Sequence, residues 1–62
     1  MTLNIYLYKS KNKFRNRPDF EIENATQEMF QRLCNEVNTT KRFISVGIVI
    51  FEREKFRMAV LQ

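Results

Sequence analysis

Basic side chains at every second position of residues 9–17 are the feature of this 62-residue sequence best suited to binding a charged partner. This segment holds five of the eleven basic residues and no acidic one, whereas the remaining six basic and seven acidic residues leave a net charge of −1 elsewhere. Alternate side chains of an extended chain point to the same side. The pattern predicts a basic loop over 9–17 with one charged side, formed by Lys9, Lys11, Lys13, Arg15 and Arg17.

Three interpretations of this loop are open. Lysine and arginine bind phosphates, and an aromatic ring such as that of Phe14 stacks on unpaired bases, so nucleic acid is one partner class. The same charges suit an acidic protein patch, and they also keep an exposed segment from aggregating. Because neither a recognition helix nor a ribonucleoprotein aromatic motif accompanies the loop, we expect an acidic protein partner, with nucleic acid as the alternative.

Residue types that carry catalysis or bind metals are scarce. The chain has no His and a single Cys, which excludes Ser–His and Cys–His nucleophiles, an internal disulfide and a structural zinc site. Cys34 falls on the apolar stripe of a predicted helix, which favours packing over reactivity. The single glycine, Gly47, excludes a glycine-rich phosphate-binding loop. We therefore expect neither an enzyme nor a bound cofactor.

Length and composition predict one small domain over 1–62. The apolar fraction of 44% is too high for a disordered tail. The lone thiol suits a reducing compartment, and the longest apolar run, 48–51, is far shorter than the roughly 20 residues that cross a bilayer. We expect a cytoplasmic protein that does not bind membranes.

Alternating and helical hydrophobic patterns predict five segments along the chain. Period-two alternation predicts strands over about 2–8 and 19–23, paired antiparallel, and Asn24 with Gln27 resembles a capping box that starts a helix over about 25–37. A run dense in β-branched and aromatic residues predicts a central strand over 42–51, and a charged turn leads to a last strand over 55–61. The expected fold is α+β: an antiparallel four-stranded sheet with one helix packed on one face, in the order ββαββ.

The C-terminal third resembles the closing hairpin of short uncharacterised proteins of bacterial phages and mobile elements. The similarity lies in a helix followed by a strand with a central glycine (Gly47), a polar turn, and a last strand in which Arg57 follows an aromatic residue, Phe56. It implies a ββαββ protein that binds and modulates a host or defence protein, and it brings no catalytic residues.

One helix covers only one face of a sheet, so the other face meets solvent or a partner. Along 42–51 we expect the aliphatic set, which includes Ile48 and Ile50, to face the helix. The remaining set would form a self-association face with the two tyrosines of the first strand, unless the sheet curls over it or the copies pair through an edge strand. That predicted face consists of Tyr6, Tyr8, Phe43, Val49 and Phe51.

The function expected from these features is that of a small non-enzymatic protein-binding module. It would act as a homodimer or higher homo-oligomer and modulate or inhibit a host or defence protein. The alternative is a small basic nucleic-acid-binding protein that uses the 9–17 segment.

Overall fold

The computed structural model describes residues 1–8 and 17–62 of the chain. Its described part contains five strands and one α-helix, with a single 3-10 turn between the last two strands. The elements in order are β1 (Leu3–Leu7), β2 (Phe20–Ile22), α1 (Gln27–Val37), β3 (Phe43–Val46), β4 (Val49–Glu52), the 3-10 turn (Arg53–Lys55) and β5 (Phe56–Leu61).

β1 is the central strand of a three-stranded sheet in the order β2-β1-β5, and it is antiparallel to both neighbours. The antiparallel pairing of the first two strands, predicted from the sequence, is confirmed. Asp19 extends that pairing, because its backbone N–H donates to the Ile5 carbonyl (2.8 Å) and its side-chain Oδ2 accepts from the Leu7 N–H (2.8 Å).

The predicted single four-stranded sheet is wrong. The run 42–51 is not one strand: it folds back on itself as β3 and β4, which form a separate two-stranded antiparallel sheet. Gly47 has a φ of +58°, and Ile48 does not have a positive φ, which is the pattern of a type II′ hairpin turn with glycine at its first central position. The strand order is therefore ββαβββ in two sheets.

The predicted pairing of the last two strand segments is also wrong. The 3-10 turn Arg53–Lys55 leads the chain away from β4, and β5 pairs with the free side of β1. This pairing places Leu61 opposite Leu3 and Ala59 opposite Ile5. Apolar side chains of the two strands thus share the face that contributes to the core.

The helix begins two residues later than predicted. Its N-cap is Thr26, whose hydroxyl accepts from the Met29 N–H at 3.2 Å, so Asn24 is not the cap. Asn24 has a φ of +57° and turns the chain in the left-handed conformation that asparagine tolerates. The predicted apolar stripe does face the core, with Leu33 buried at its centre.

The core lies between the three-stranded sheet on one side and the helix and hairpin on the other. Its fully buried side chains are Leu3, Ile5, Leu33 and Ile44. Phe51, 5% exposed, stacks between two rings, with its centroid 6.4 Å from that of Phe20 and 6.0 Å from that of Phe56.

The composition of this core shows that the side-chain orientation predicted for the second half of 42–51 is wrong. Phe51 does not belong to an exposed self-association face, and Ile48 and Ile50 do not face the helix, since both are exposed. The two-residue turn is the cause: Phe51 lies directly opposite Ile44 across the hairpin, and directly opposite residues share a face.

Phe51→Lys is expected to unfold the protein, whereas Ile48→Lys is expected to leave its stability within about 0.5 kcal/mol of wild type. The first substitution removes a buried ring, which alone costs about 3–5 kcal/mol, and adds an unpaired buried charge. Thermal unfolding followed by circular dichroism measures both variants. Equal destabilisation by the two would contradict the placement of these side chains.

Gly47→Ala is expected to destabilise the protein by about 1–2 kcal/mol, because alanine is strained in the left-handed region. A Cβ at this position would contact only two Ile22 carbons at 3.8 Å, an ordinary van der Waals distance. The loss of stability would therefore come from the strained backbone conformation and not from crowding. Gly47→Asn is the matched control and should cost less, since asparagine is favoured in such turns. Urea unfolding gives the comparison, and an equal loss in both variants would point to crowding instead of φ.

Candidate protein-binding surface

The side of the β3–β4 hairpin that faces away from the core carries exposed apolar side chains. Phe43 pairs with Glu52 and Ser45 with Ile50, so these four side chains share one face, and Ile48 lies at the tip. We call these five residues the hairpin outer face. Phe43 is 52% exposed, Ile50 66% and Ile48 100%.

The exposure of these three side chains follows from the register of the hairpin. With Ile44 and Phe51 turned into the core, their neighbours Phe43 and Ile50 must point outward, because side chains alternate along a strand. The fully exposed Ile48 occupies the second central position of the turn, where it has no strand partner. No described element covers this face, so its apolar side chains are available to another molecule.

Basic groups collect at the end of the hairpin opposite the tip. The Arg42 guanidinium lies 5.6 Å from the centroid of the Phe43 ring, a distance at which a cation is attracted to the ring face. Arg53 Nε donates to the Lys41 carbonyl at 2.8 Å, and the Arg53 N–H donates to the Arg42 carbonyl at 2.9 Å. These bonds hold the three basic residues beside the apolar patch. Lys41 also pairs with Glu36 (3.2 Å), and Glu52 and Glu54 lie with the two arginines.

Two open clefts border the hairpin. A cleft of about 280 Å³ lies at its basic end, and one of about 320 Å³ lies between the hairpin tip and the start of the helix. Both are lined by mixed polar and charged side chains, and neither concentrates groups of one chemical kind. The first is lined by Thr40, Arg42, Glu52, Arg53 and Glu54, and the second by Thr26, Glu28, Met29, Arg32, Ser45, Val46 and Gly47.

The five residues of the predicted self-association face are distributed over different parts of the fold. Tyr6 belongs to the three-stranded sheet, with the Arg57 guanidinium 5.5 Å from its ring centroid, and Tyr8 is exposed just beyond the end of β1. Phe43 lies on the hairpin outer face. Val49 and Phe51 pack on the core.

The predicted basic loop falls almost entirely outside the described residues. This holds for Lys9, Lys11, Lys13, Phe14 and Arg15. Arg17 is described and exposed.

Two features of the fold were missed in the sequence. The first is the exposure of Ile48 and Ile50. One feature of the sequence pointed to it: the predicted strand of ten residues is about twice the usual length, and the only glycine of the chain lies in its middle. The second is Asn4, the second residue of β1, which is only 8% exposed. Its Nδ2 donates to Gln62 Oε1 at 3.3 Å, while its buried Oδ1 has no hydrogen-bond partner among residues 1–8 and 17–62. Nothing in the alternating pattern distinguishes this position from a solvent-facing one.

Two other kinds of site are absent from residues 1–8 and 17–62. No cluster of three or more His, Cys, Asp or Glu side chains in these ranges is placed to hold a metal ion. Helix α1, the α-helix of this part of the chain, is too short to cross a bilayer.

Comparison with known proteins gave no relatives. No family model matches the chain, and no curated protein or solved structure matches it.

Proposed function

We propose that this protein is a small non-enzymatic protein-binding module that acts as a dimer and contacts another protein through the hairpin outer face. The observation that carries the proposal is the complete exposure of Ile48 next to the exposed side chains of Phe43 and Ile50. A cluster of large apolar side chains on the surface of a small domain is typical of an interaction site.

Burial of these side chains against a partner provides the free energy of binding. Full burial of an aliphatic or phenyl side chain contributes roughly 1.5–3 kcal/mol, and these three side chains keep half or more of their surface exposed. Their burial therefore supplies several kcal/mol of the roughly 8 kcal/mol that a micromolar complex requires. The hairpin is also held by the core through Ile44 and Phe51, so little ordering accompanies binding.

The chemistry of the surface defines the partner. Apolar side chains occupy the centre and tip. At one end, Arg42 and Arg53 lie beside Glu52 and Glu54, and Lys41 pairs with Glu36. A complementary partner has an apolar pocket with acidic residues placed opposite Arg42 and Arg53, since opposite charges across an interface steer association. The five basic residues of the 9–17 segment favour the same partner chemistry.

The resemblance of the C-terminal third to short phage and mobile-element proteins adds the biological role. In this proposal the partner is a host or defence protein of the bacterial cytoplasm, and binding modulates or inhibits it. The chain has neither His nor a glycine-rich loop. Inhibition in which it covers a surface of the partner therefore fits it better than chemical modification of the partner.

The test is capture of partners by purified protein from a bacterial lysate, with and without nuclease. The double variant Ile48→Asp with Ile50→Asp should lose the captured protein because it places two charges in the apolar patch. The matched control, Gln31→Asp with Asn35→Asp, adds the same two charges at exposed helix positions and should retain it.

Nuclease treatment separates the two partner classes. A protein that stays bound after nuclease, is retained by the helix control and is lost with the hairpin double variant supports the proposal. Equal loss from both double variants would contradict the hairpin outer face as the contact surface. Loss of all partners with nuclease would favour the nucleic-acid alternative.

The localised positive charge favours that alternative strongly enough to merit its own test. If residues 9–17 bind nucleic acid through three or four phosphates, the log–log slope of affinity against salt should lie near −2 to −4. Replacing Lys11, Lys13 and Arg15 by Ser should make the slope shallower by about one for each phosphate that is no longer bound. If the segment docks an acidic protein, the same substitutions should mainly slow association with that protein. Titration at several salt concentrations distinguishes the outcomes.

A further inference from the structure

The outer side of β5 is a sheet edge that pairs with none of the described strands. On its inner side, Gln62 and Thr2 exchange two backbone hydrogen bonds (2.7 and 2.9 Å), just beyond the end of the strand. Hydrogen-bonded pairs recur at every second residue of an antiparallel ladder, so Val60 bonds to Asn4 and Met58 to Tyr6 in the observed register. The backbone N–H and C=O groups of Ala59 and Leu61 therefore point away from β1, and no described strand accepts them.

From Met58 to Leu61, this edge lacks the features that usually prevent a strand from pairing with another chain. Proteins protect edges by short length, charged side chains, proline or bulges. The opposite edge, β2, is three residues long and carries Glu21, with Asp19 and Glu23 beside it. β5 is six residues long, and its one charged residue, Arg57, lies at the irregularity near its start. From Met58 to Leu61 the strand has no charge.

We propose that β5 pairs antiparallel with β5 of a second copy, which joins the two three-stranded sheets into one sheet of six strands. This inference rests on the dimer of the proposed function and identifies its interface. Two symmetric registers pair five strand residues each, with the two-fold axis at Met58 or at Ala59. We choose the one with Ala59 opposite Ala59 of the second copy, because its axis lies farther from the irregularity near the start of β5.

The side chains of β5 are complementary to themselves in this register. The smallest one meets its own copy at the axis, and Met58, which is 41% exposed, lies opposite Val60 of the second copy. Directly opposite apolar pairs stabilise a sheet. No two like charges face each other, since Arg57 of one copy lies at the Leu61 end of the other copy's strand, away from its Arg57.

The size of this interface sets the strength of the dimer. Five paired strand residues at about 3.3 Å each give a contact about 17 Å long, which makes a small interface compared with the roughly 1,600 Å² of a standard one. The dimer is therefore expected to form at micromolar concentrations and to dissociate on dilution. Sedimentation of the wild-type chain over a range of concentrations should show a transition between monomer and dimer.

Disulfide trapping tests the register. In a Cys34→Ala background, Ala59→Cys should form a disulfide-linked dimer under mild oxidation with oxidised glutathione, because opposed residues have Cα atoms about 5.5 Å apart. Met58→Cys is the matched control: its own copy lies diagonally at about 7–8 Å, beyond the usual disulfide range, so the linked dimer should be lost. Mixing Met58→Cys with Val60→Cys chains should restore it.

Proline substitution tests the edge itself. Ala59→Pro removes an N–H that points outward, so the fold should persist while the dimer is lost. Val60→Pro removes an N–H that bonds to β1 and should unfold the chain instead. If Ala59→Pro also unfolds, the trapping experiment still decides the proposal.

The outcomes separate this interface from the proposed function. A wild-type chain that remains monomeric at 100 µM would overturn the dimer and this interface together, while capture of a protein through the hairpin outer face would stand. A dimer that persists in folded Ala59→Pro, or in which Ala59→Cys gives no linked species, would overturn the β5 interface and leave a dimer formed elsewhere. If the chain is monomeric and the Ala59→Cys variant forms a disulfide only with a captured protein, the self-pairing of β5 is overturned. The edge would then bind a strand of another protein instead.

Discussion

The stack of Phe51 between Phe20 and Phe56 is the contact on which the arrangement of the two sheets depends. Phe20 and Phe56 lie on the outer strands of the three-stranded sheet, and Phe51 comes from the hairpin. A ring that reaches both outer strands fixes the hairpin over the sheet. Aromatic pairs at these distances contribute beyond their buried area, which matters in a chain of 62 residues that buries only about 60% of its unfolded-state surface.

The inward direction of Phe51 determines what the hairpin shows to solvent. Because β4 follows a two-residue turn, turning Phe51 inward also turns Val49 inward and Ile50 outward, and Ile48 is left at the tip. The exposed apolar patch is thus a consequence of core packing in a hairpin whose residues are apolar on both faces. A sequence selected for stability alone would place polar residues at positions 43, 48 and 50. Their apolar character therefore supports a binding role for this face.

Local patterns predicted the elements of this fold better than their assembly. Alternation located β1 and β2, and the stripe through Leu33 located the helix, because burial of one face imposes a period on the sequence. The hairpin was missed because β-branched residues on both sides of Gly47 mimic one buried strand, and the length of that run with a glycine at its centre was not interpreted as a turn. The positive φ of Gly47 identifies the turn in the structure. Strand pairing depends on contacts between distant residues, so no local pattern indicated that β5 joins β1. The exposed patch was missed for the same reason as the hairpin, since one misplaced turn reverses the facing of every residue after it.

The two proposed surfaces use different elements, which gives the dimer a consequence for partner binding. The hairpin outer face belongs to β3, β4 and the turn between them, whereas the second copy pairs along β5, and no residue belongs to both. A dimer would therefore carry two hairpin outer faces. When a partner presents two matching sites, the second contact forms within one complex, and such linkage can strengthen binding by about 10²–10⁴. Because edge pairing is weak, the fraction of dimer, and with it the number of hairpin outer faces that bind one partner, would rise with protein concentration. A module of this size would then bind an oligomeric partner tightly even though each apolar patch is small.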